Sequence, residues 1–344
     1  MFVEETAKTL LKGGKLPARP QLRVDPWFWA DASLNIYRGC EHACRYCDGL
    51  SEYYHVDHDF NNEIHVKVNA PDLLEQELRK SGFYPGSEQP AKSTTLDRFL
   101  GTTPKNEKKA DIRRRGIICL GGGVSDSYCP GEKEYRLTRR CLEVLRDFHL
   151  PTHIITKSDL ILRDLDLLQD INADTFAMVS FSFSTVDENI KRVFEPRSPS
   201  AQRRLDAMQR ISEAGIPTGT TYMPVIPFIT DDEAHIRATL EAVRTHGGTY
   251  YLFGGMTLKG GRQADIFYHA VEEHFPAKRN LIAALYQQSW RPPRKYYRPV
   301  VALVHYWGDQ LSLAARAPRY FPPGENTRNL EVSTGLFNMA FFMW

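Results

Sequence analysis

Three cysteines lie close together in the first part of the chain, and their spacing is typical of a metal centre. Residues 35–49 read NIYRGCEHACRYCDG, so Cys40, Cys44 and Cys47 follow a Cys-x3-Cys-x2-Cys pattern. Three thiolates on one short loop can hold a cubane iron–sulfur cluster and leave its fourth iron without a protein ligand. An open metal position can bind a small molecule directly. The spacing therefore predicts a cluster that acts on a bound molecule.

Two alternatives remain open for these cysteines. A zinc ion would need a fourth ligand, for which His42, His55 or His58 are the nearby choices. Disulfides are the second alternative, since the chain has six cysteines. The start of the chain carries Glu4 and Glu5 and no long apolar core, so we expect no export signal. A chain with no export signal favours a metal centre over disulfides.

The cysteine pattern resembles the signature of the radical S-adenosylmethionine (SAM) superfamily, because an aromatic residue, Tyr46, precedes the third cysteine. The resemblance implies a [4Fe-4S] cluster on the three cysteines and SAM chelated to the open iron. It further implies that an electron from the cluster cleaves SAM and that the resulting 5′-deoxyadenosyl radical abstracts a hydrogen atom from a substrate. An electron donor such as flavodoxin or ferredoxin is the partner implied. The protein would supply binding, orientation and exclusion of water.

Further segments resemble the SplB-type branch, the relatives of spore photoproduct lyase that are often labelled DNA repair photolyases. The resemblance extends from residue 34 to residue 255. The segments, in chain order, are YRGCEHACRYCDG, SDSYCPGEKEYRLTR, HIITKSDLILRDLDLL, FSFSTVDENIKRVFEPRSPSAQRRLDAM and GIPTGTTYMPVIPFITDDE.

The resemblance also implies a SAM pocket at the strand ends. Gly121, Gly122 and Gly123 match a glycine motif whose backbone approaches the SAM amino group, with a tight turn as the alternative. Ser125 matches a serine that contacts SAM. Lys157 matches a lysine that meets the SAM carboxylate, a sensible partner for a semi-buried anion.

Three more positions complete the implied pocket. Ser182 matches a serine near the SAM ribose or carboxylate, although an ordinary strand hydroxyl is the alternative. Met223 and Pro224 match a segment that lines the adenine side. Tyr46 is positioned to cover a flat ligand.

The resemblance fails at one position. Spore photoproduct lyase uses a cysteine as hydrogen donor two residues before the Ser–Asp pair, and here that position is Gly123. Glycine cannot return a hydrogen atom, so the sequence argues against true spore photoproduct repair. Cys129 is a candidate for a displaced catalytic thiol, with a buried structural cysteine as the alternative. We expect Cys119 and Cys141 to be structural.

Three polar residues near the Ser–Asp pair, Asp126, Tyr128 and Glu132, look characteristic of the SplB branch. Asp126 and Glu132 could hold the SAM pocket or touch substrate. The alternative is that these acids simply favour the N-terminus of a helix.

Strands alternate with helices along the chain, which predicts a parallel sheet with right-handed crossovers. The resemblance implies that it forms a partial (β/α)6 TIM-like barrel with a C-terminal extension, whose chemistry lies at the carboxyl ends of the strands. The clearest helical pattern spans 134–149, with others at 201–214 and 231–246. The predicted strands are 34–37, 116–120, 152–156, 177–183, 218–222 and 250–254.

We expect three parts. Residues 1–30 form an N-terminal extension, and 31–260 form the partial barrel with a polar insertion at 81–115. Residues 261–344 form a C-terminal extension rich in aromatic and basic side chains, which we expect to pack on the barrel.

Charge and hydropathy limit the remaining choices. The formal net charge of the 344-residue chain is +2, so nucleic-acid binding would depend on local basic groups, namely Arg113–Arg115, Arg139–Arg140, Arg203–Arg204 and Arg291–Arg298. The histidine-rich run at 54–65 could bind a second metal or a substrate phosphate, with a solvated loop as the alternative. No apolar run approaches the roughly 18 residues of a membrane span, so we expect a cytoplasmic protein with no membrane partner.

We therefore predict an enzyme that starts hydrogen abstraction by cleaving SAM. Repair or modification of nucleic acid is one hypothesis for its substrate class, and modification of a peptide or small molecule is another. A non-catalytic iron–sulfur or zinc protein is the alternative from a different class.

Overall fold

The computed structural model describes residues 1–12, 28, 30–56, 58–86, 117–122 and 125–320. Three sequence predictions lie wholly or largely outside these residues: the role of Gly123, the basic run 113–115 and most of the polar insertion at 81–115. The side chain of Asp31 is likewise not described.

The main sheet has seven strands, six of them parallel, which confirms the predicted α/β class. Its order is β10-β9-β8-β7-β6-β3-β2, and only β2 runs antiparallel to its neighbour. Within the described residues the first and last parallel strands do not pair, so the sheet stays open like the partial barrel expected. Its strands are β2 (Leu11–Lys12), β3 (Ala30–Leu34), β6 (Ile117–Leu120), β7 (Thr152–Thr156), β8 (Ala177–Phe183), β9 (Thr218–Val225) and β10 (Tyr251–Gly255).

A second, three-stranded sheet was not predicted. It contains β1 (Phe2–Glu5), β4 (Tyr37–Arg38) and β5 (Ile64–Lys67) in the order β1-β5-β4. The predicted strand at 34–37 is therefore wrong in its bounds, because the chain leaves the main sheet after β3 and joins the small sheet at β4. The reason is register: Leu34 pairs with Leu120 in one sheet, and Tyr37 pairs with Val66 in the other.

Most of the helices bury an apolar face. Those of the described residues are α1 (Ala70–Lys80), α2 (Glu132–Tyr135), α3 (Leu137–Asp147), α4 (Leu165–Asp174), α5 (Glu188–Phe194), α6 (Ala201–Glu213), α7 (Glu233–Thr245), α8 (Arg262–His274), α9 (Arg279–Tyr286) and α10 (Arg294–Gln310). Every residue of β7 and β8 is buried, as expected for strands covered on both faces.

Two of the helices predicted from the sequence differ in their bounds from the observed helices. The predicted helix at 134–149 is split, because Arg136 adopts a left-handed conformation between α2 and α3. The helix predicted at 231–246 is observed as α7, which is two residues shorter at its start and one at its end. The Asp232 carboxylate accepts a hydrogen bond from His235 N at 3.0 Å at the start of α7, and Gly247 follows the helix with φ +84°.

The last described helix, α10, packs on the main sheet. In α10 the Tyr297 hydroxyl accepts from Met256 N at 2.8 Å, and His305 Nδ1 lies 2.7 Å from the Tyr251 hydroxyl. The division into three parts stays a prediction. Among the described helices none is both long and apolar enough to traverse a lipid bilayer.

Candidate active site

The loop that carries the three cysteines begins directly after β4 and is shaped by one obligatory glycine. Gly39 has φ +92°, and a Cβ there would lie 2.9 Å from the carbonyl oxygens of Phe60 and Glu63. Cys40 N donates to that Phe60 oxygen at 2.9 Å, and Cys47 N donates to Cys44 O at 3.0 Å. The loop therefore turns tightly against the segment that precedes β5.

All six cysteines are free thiols, so the disulfide alternative is wrong. Burial raises the pKa of the Cys44 thiol to about 12 and raises the pKa of Cys40 and Cys47 as well. A buried thiolate is not solvated by water, so it needs a cation beside it, and the iron of a cluster would supply that cation.

Three free thiols on one loop can each bind a separate iron of a cubane and leave the fourth iron without a protein ligand. A tetrahedral structural zinc site would need a fourth protein ligand beside them. The donor set therefore fits a [4Fe-4S] cluster.

Asp126 ties the cysteine loop to the ends of two strands. Its carboxylate accepts from Thr156 Oγ1 at 2.7 Å, Lys157 N at 2.8 Å and Tyr128 N at 2.9 Å. His42 of the cysteine loop is buried, and its Nε2 lies 3.3 Å from Asp126 Oδ2. Burial alone would raise the pKa of Asp126, but His42 and the two N–H donors outweigh it and lower that pKa. Asp126 is thus a positioning residue at the strand ends.

Lys157 directs its charge toward the cysteine loop. It follows β7, and its Nζ lies 5.8 Å from the centre of the Tyr46 ring. Burial alone would lower the pKa of Lys157, but the Cys44 thiol and the Glu195 carboxylate outweigh it and raise that pKa. An ammonium held charged beside the cluster loop suits a ligand carboxylate.

A buried carboxylate that sequence reasoning missed lies behind the cysteine loop. The Tyr46 hydroxyl donates to Glu195, and Ser184 Oγ donates to the same carboxylate at 2.9 Å. Arg204 Nη2 lies 2.7 Å from Glu195 Oε2, and both side chains are buried. Arg204 also donates to the carbonyl of Ser182 at 2.7 Å. Glu195 lies in a quoted segment, FEPRSPS, but its residue types alone do not reveal burial.

The glycines after β6 play different parts. A Cβ at Gly121 would lie 2.1 Å from the Ile155 carbonyl oxygen, so this glycine is required by the approach of β7. Gly122 has φ +92°, and no atom of the described residues lies within 4 Å of its Cβ position, so it faces open space in this part of the chain. Gly122 therefore fits the predicted close approach of SAM, whereas Gly121 fits the turn alternative.

The remaining predicted contacts lie along the same edge. Ser125 is half-buried just before Asp126. Ser182 Oγ lies 2.6 Å from Thr221 Oγ1, linking the carboxyl-terminal halves of β8 and β9. Met223 packs against Gly254, where a Cβ would lie 3.0 Å from the methionine Cβ. Their contacts with SAM stay predictions.

Two polar residues of the SDSYCPGE segment form hydrogen bonds in the interior of the fold. Glu132 is fully buried and accepts from Thr138 N at 2.9 Å, close to the start of α3, and from Arg163 Nη2 at 2.6 Å. The Tyr128 hydroxyl donates to Asp164 at 3.1 Å, also in the interior. The arrangement of Glu132 corresponds to the helix-terminus alternative, and the Tyr128 hydroxyl is bonded within the fold.

Cys129 lies in the main hydrophobic core, with no exposed surface. Burial raises the pKa of its thiol, and the charge of Asp126 adds to that effect. A substrate would reach this thiol only if the surrounding chain opened, so the catalytic role of Cys129 stays a prediction.

An exposed aromatic surface adjoins the third cysteine. Asp48, the residue after Cys47, accepts from Lys259 Nζ at 2.7 Å. That Nζ lies 4.6 Å from the Tyr54 ring centre and about 6 Å from the rings of Tyr53 and Trp290. Tyr53 and Trp290 are 59% and 46% exposed, and their ring centres are 4.8 Å apart.

We call the residues Tyr53, Tyr54, Lys259 and Trp290 the aromatic platform. One end of it opens into a groove of about 360 Å³. The groove is lined by Leu258, Gly260, Ala264, Tyr268, Tyr286, Gln287, Gln288, Ser289 and Trp290.

Two of the basic pairs are engaged in ion pairs within the fold. Arg203 Nη2 lies 2.7 Å from Asp159, and Arg139 Nη2 lies 2.7 Å from Asp166. The prediction that Arg204 lines a nucleic-acid surface is wrong, since its side chain is fully buried against Glu195.

Comparison with known proteins gives a matching domain and a similar fold. The family model described as the Radical SAM superfamily matches residues 92–240. An uncharacterized protein of Methanocaldococcus jannaschii is 29% identical over 252 residues, which are 73% of this chain and 78% of that protein. An uncharacterized protein of Mycobacterium tuberculosis is 26% identical over 316 residues, or 89% of this chain and 81% of its own length.

Residues 92–240 therefore carry a radical SAM domain, which indicates that the protein is an enzyme. Its cofactors are a [4Fe-4S] cluster and SAM, which supply a carbon-centred radical for hydrogen abstraction, and its turnover needs a reductant. Its fold is the one seen in spore photoproduct lyase complexed with dinucleoside spore photoproduct. That structure is 16% identical, with a TM-score of 0.58, and the match covers 90% of this chain and 79% of that one.

Proposed function

We propose that Cys40, Cys44 and Cys47 hold the cluster and that the carboxyl ends of the parallel strands bind SAM. The observation that carries this proposal is the convergence of the three free thiols with the charged ammonium of Lys157. In this arrangement Lys157 binds the SAM carboxylate, and the exposed backbone of Gly122 receives the amino end. Ser125, Ser182 and Met223 line the remaining sides.

We further propose that the enzyme is SplB-like and acts on nucleic acid with an unpaired base. The support is the aromatic platform, which is joined to the cysteine loop through the Lys259–Asp48 ion pair. Exposed aromatic rings beside a cation are typical of surfaces on which single-stranded bases stack. The bound dinucleoside of the structurally similar lyase agrees with this substrate class.

The reaction itself would differ from spore photoproduct cleavage. Gly123 stands where the lyase keeps its hydrogen-donating cysteine, so this chain has no thiol at that position. We propose repair or modification of another nucleic-acid lesion or base, with flavodoxin or ferredoxin as the electron donor.

Anaerobic reconstitution tests the cofactor assignment. We expect four irons and four sulfides per chain, and release of 5′-deoxyadenosine from SAM after reduction with dithionite. Cys44→Ala should abolish both, whereas Cys141→Ala, which removes an equally buried thiol of α3, should keep both. Stoichiometric zinc in place of iron, or unchanged cleavage in Cys44→Ala, would contradict the proposal.

Binding of a fluorescent single-stranded oligonucleotide at two salt concentrations tests the substrate class. We expect salt-sensitive binding that weakens in Trp290→Ala by about 5- to 100-fold, since one base stack contributes roughly 1–3 kcal/mol. Tyr306→Ala is the matched control, because Tyr306 is 52% exposed on α10, outside the aromatic platform. Equal affinity in the two variants, or no binding at low salt, would favour a peptide or small-molecule substrate.

A further inference from the structure

Three potential metal ligands meet beside β5, outside the proposed SAM pocket. The ligand atoms of His58, Glu63 and His65 all lie within 4.8 Å of one another, and each residue is half-buried. The rings of His58 and His65 stack with their centres 4.2 Å apart and their planes at 23°. Two imidazoles and a carboxylate form a donor set suited to zinc and its neighbours in the first transition row.

The spacing of two of these ligands already approaches that of a zinc site. His65 Nε2 lies 3.0 Å from Glu63 Oε1. Ligand atoms at zinc–nitrogen and zinc–oxygen distances of about 2.0–2.2 Å stand about 3.3 Å apart in a tetrahedron. A cation between these two atoms and His58 would therefore need only small side-chain rotations.

An outer carboxylate orients the central histidine. Glu5 on β1 lies opposite the other ring nitrogen, with its Oε2 3.1 Å from His65 Nδ1. A proton on Nδ1, donated to Glu5, leaves the lone pair of Nε2 directed at Glu63 and the proposed metal. Metal-binding histidines commonly donate their second nitrogen to a carboxylate in this way, which fixes the tautomer and raises the basicity of the ligand.

The position of the ligands links this site to the cysteine loop. The segment between His58 and Glu63 contains Phe60, whose carbonyl oxygen accepts from Cys40 N at 2.9 Å. Arg262 of α8 donates to the carbonyl of His58 at 3.1 Å, which anchors the near end of the segment. A cation bound by residues at both ends of this segment would hold in place the backbone to which Cys40 N donates its hydrogen bond.

We propose that His58, Glu63 and His65 form a mononuclear site for a divalent transition-metal ion, zinc being the best match, with Glu5 orienting His65. The site shares no residue with the proposed cluster or SAM pocket. It stabilises the loop that carries Cys40 rather than taking part in hydrogen abstraction.

Metal analysis of the reconstituted holoenzyme tests this site. After incubation with Zn²⁺ and removal of loosely bound metal, we expect one zinc per chain in addition to four irons. His65→Ala should lose the zinc and keep the irons, which also shows that it folds. His55→Ala is the matched control, because His55 belongs to the same histidine-rich run but is not one of the three proposed zinc ligands. This variant should keep both metals.

Two further variants test whether the loss of zinc comes from the loss of a ligand rather than from misfolding. Glu63→Gln keeps the side-chain size and removes the anionic ligand, so its zinc should also be lost. Glu5→Gln should weaken Zn²⁺ binding about 10- to 100-fold without abolishing it. Absence of zinc from the wild-type holoenzyme, or retention of zinc in both His65→Ala and Glu63→Gln, would overturn the proposal. His65 would then be an imidazolium held between two carboxylates.

Co²⁺ provides a spectroscopic check in the Cys40→Ala/Cys44→Ala/Cys47→Ala variant, which has no thiolates at the cluster position. We expect visible d–d bands without sulfur charge-transfer absorption, and their loss when His65→Ala is added. No d–d spectrum in the variant lacking the three cysteines would count against the site.

Discussion

Arg204 Nη2 and Glu195 Oε2 lie 2.7 Å apart in the interior of the molecule, directly behind the Tyr46 side chain of the cysteine loop. This ion pair joins α6 to the loop after α5. The guanidinium also lies 5.0 Å from the Phe183 ring centre and donates to the Ser182 carbonyl. The wall behind the cysteine loop is therefore built from paired charges rather than from apolar packing alone.

The first prediction compares two neighbouring arginines. Arg204→Met should lower the free energy of unfolding by roughly 3–5 kcal/mol, because it leaves the buried Glu195 charge without its partner. Arg203→Met removes an exposed arginine paired with Asp159 and should cost about 0–1 kcal/mol. Urea unfolding of the two cluster-free variants measures the difference. Similar losses of unfolding free energy in the two variants would show that the buried Arg204–Glu195 pair stabilises the protein no more than the exposed Arg203–Asp159 pair does.

The second prediction concerns pH. Burial alone would raise the pKa of Glu195, but Arg204 and Lys157 outweigh it and lower that pKa to about 2. A carboxyl with a depressed native pKa contributes stability above its unfolded value, and that contribution is lost as the pH falls toward the native value.

The stability difference between wild type and Glu195→Gln should therefore be largest near neutral pH and shrink as the pH falls from about 4.5 to about 2. Urea unfolding of both cluster-free proteins across this range provides the measurement. A difference that stays constant over the range would contradict the assigned role of Glu195.

The third prediction separates the two glycines after β6. Gly121→Ala should prevent stable folding, since its Cβ would meet the Ile155 carbonyl at 2.1 Å. The methyl group of Gly122→Ala meets no atom of the described residues, so the variant should lose only about 1–2 kcal/mol for its left-handed backbone, yet this methyl group would enter the proposed SAM pocket. We expect Gly122→Ala to bind a full cluster with weakened SAM affinity, measured by calorimetry. An affinity for SAM equal to that of the wild type would show that Gly122 does not line the SAM pocket.

The fourth prediction concerns the carboxylate of SAM. Lys157→Met should weaken SAM binding about 10- to 100-fold, the effect of losing a charge-assisted hydrogen bond of roughly 1.5–3 kcal/mol, while four irons remain bound. Lys133→Met, at an exposed position of α2, is the control and should match the wild type. Iron content and equilibrium dialysis with labelled SAM give both quantities. Loss of iron in Lys157→Met would instead assign Lys157 to cluster stability.

The sequence alone determined the fold class and the source of the chemistry. Strands such as Thr152–Thr156 and Ala177–Phe183 were found at their observed bounds because a run rich in apolar and β-forming residues is a local property of the chain. The three cysteines were evident because ligand spacing on one loop is also local. The matched family confirmed the superfamily that this spacing indicated.

Tertiary structure decided which polar residues face one another across the fold. Nothing local in the sequence brings Glu195 under Tyr46 or sets Lys259 beside Asp48, since these partners are far apart along the chain. The small sheet that unites Glu5 with His65 depends in the same way on the pairing of β1 with β5. Local spacing specifies ligands on a single loop, whereas long-range strand pairing and helix packing specify the partners of buried charges.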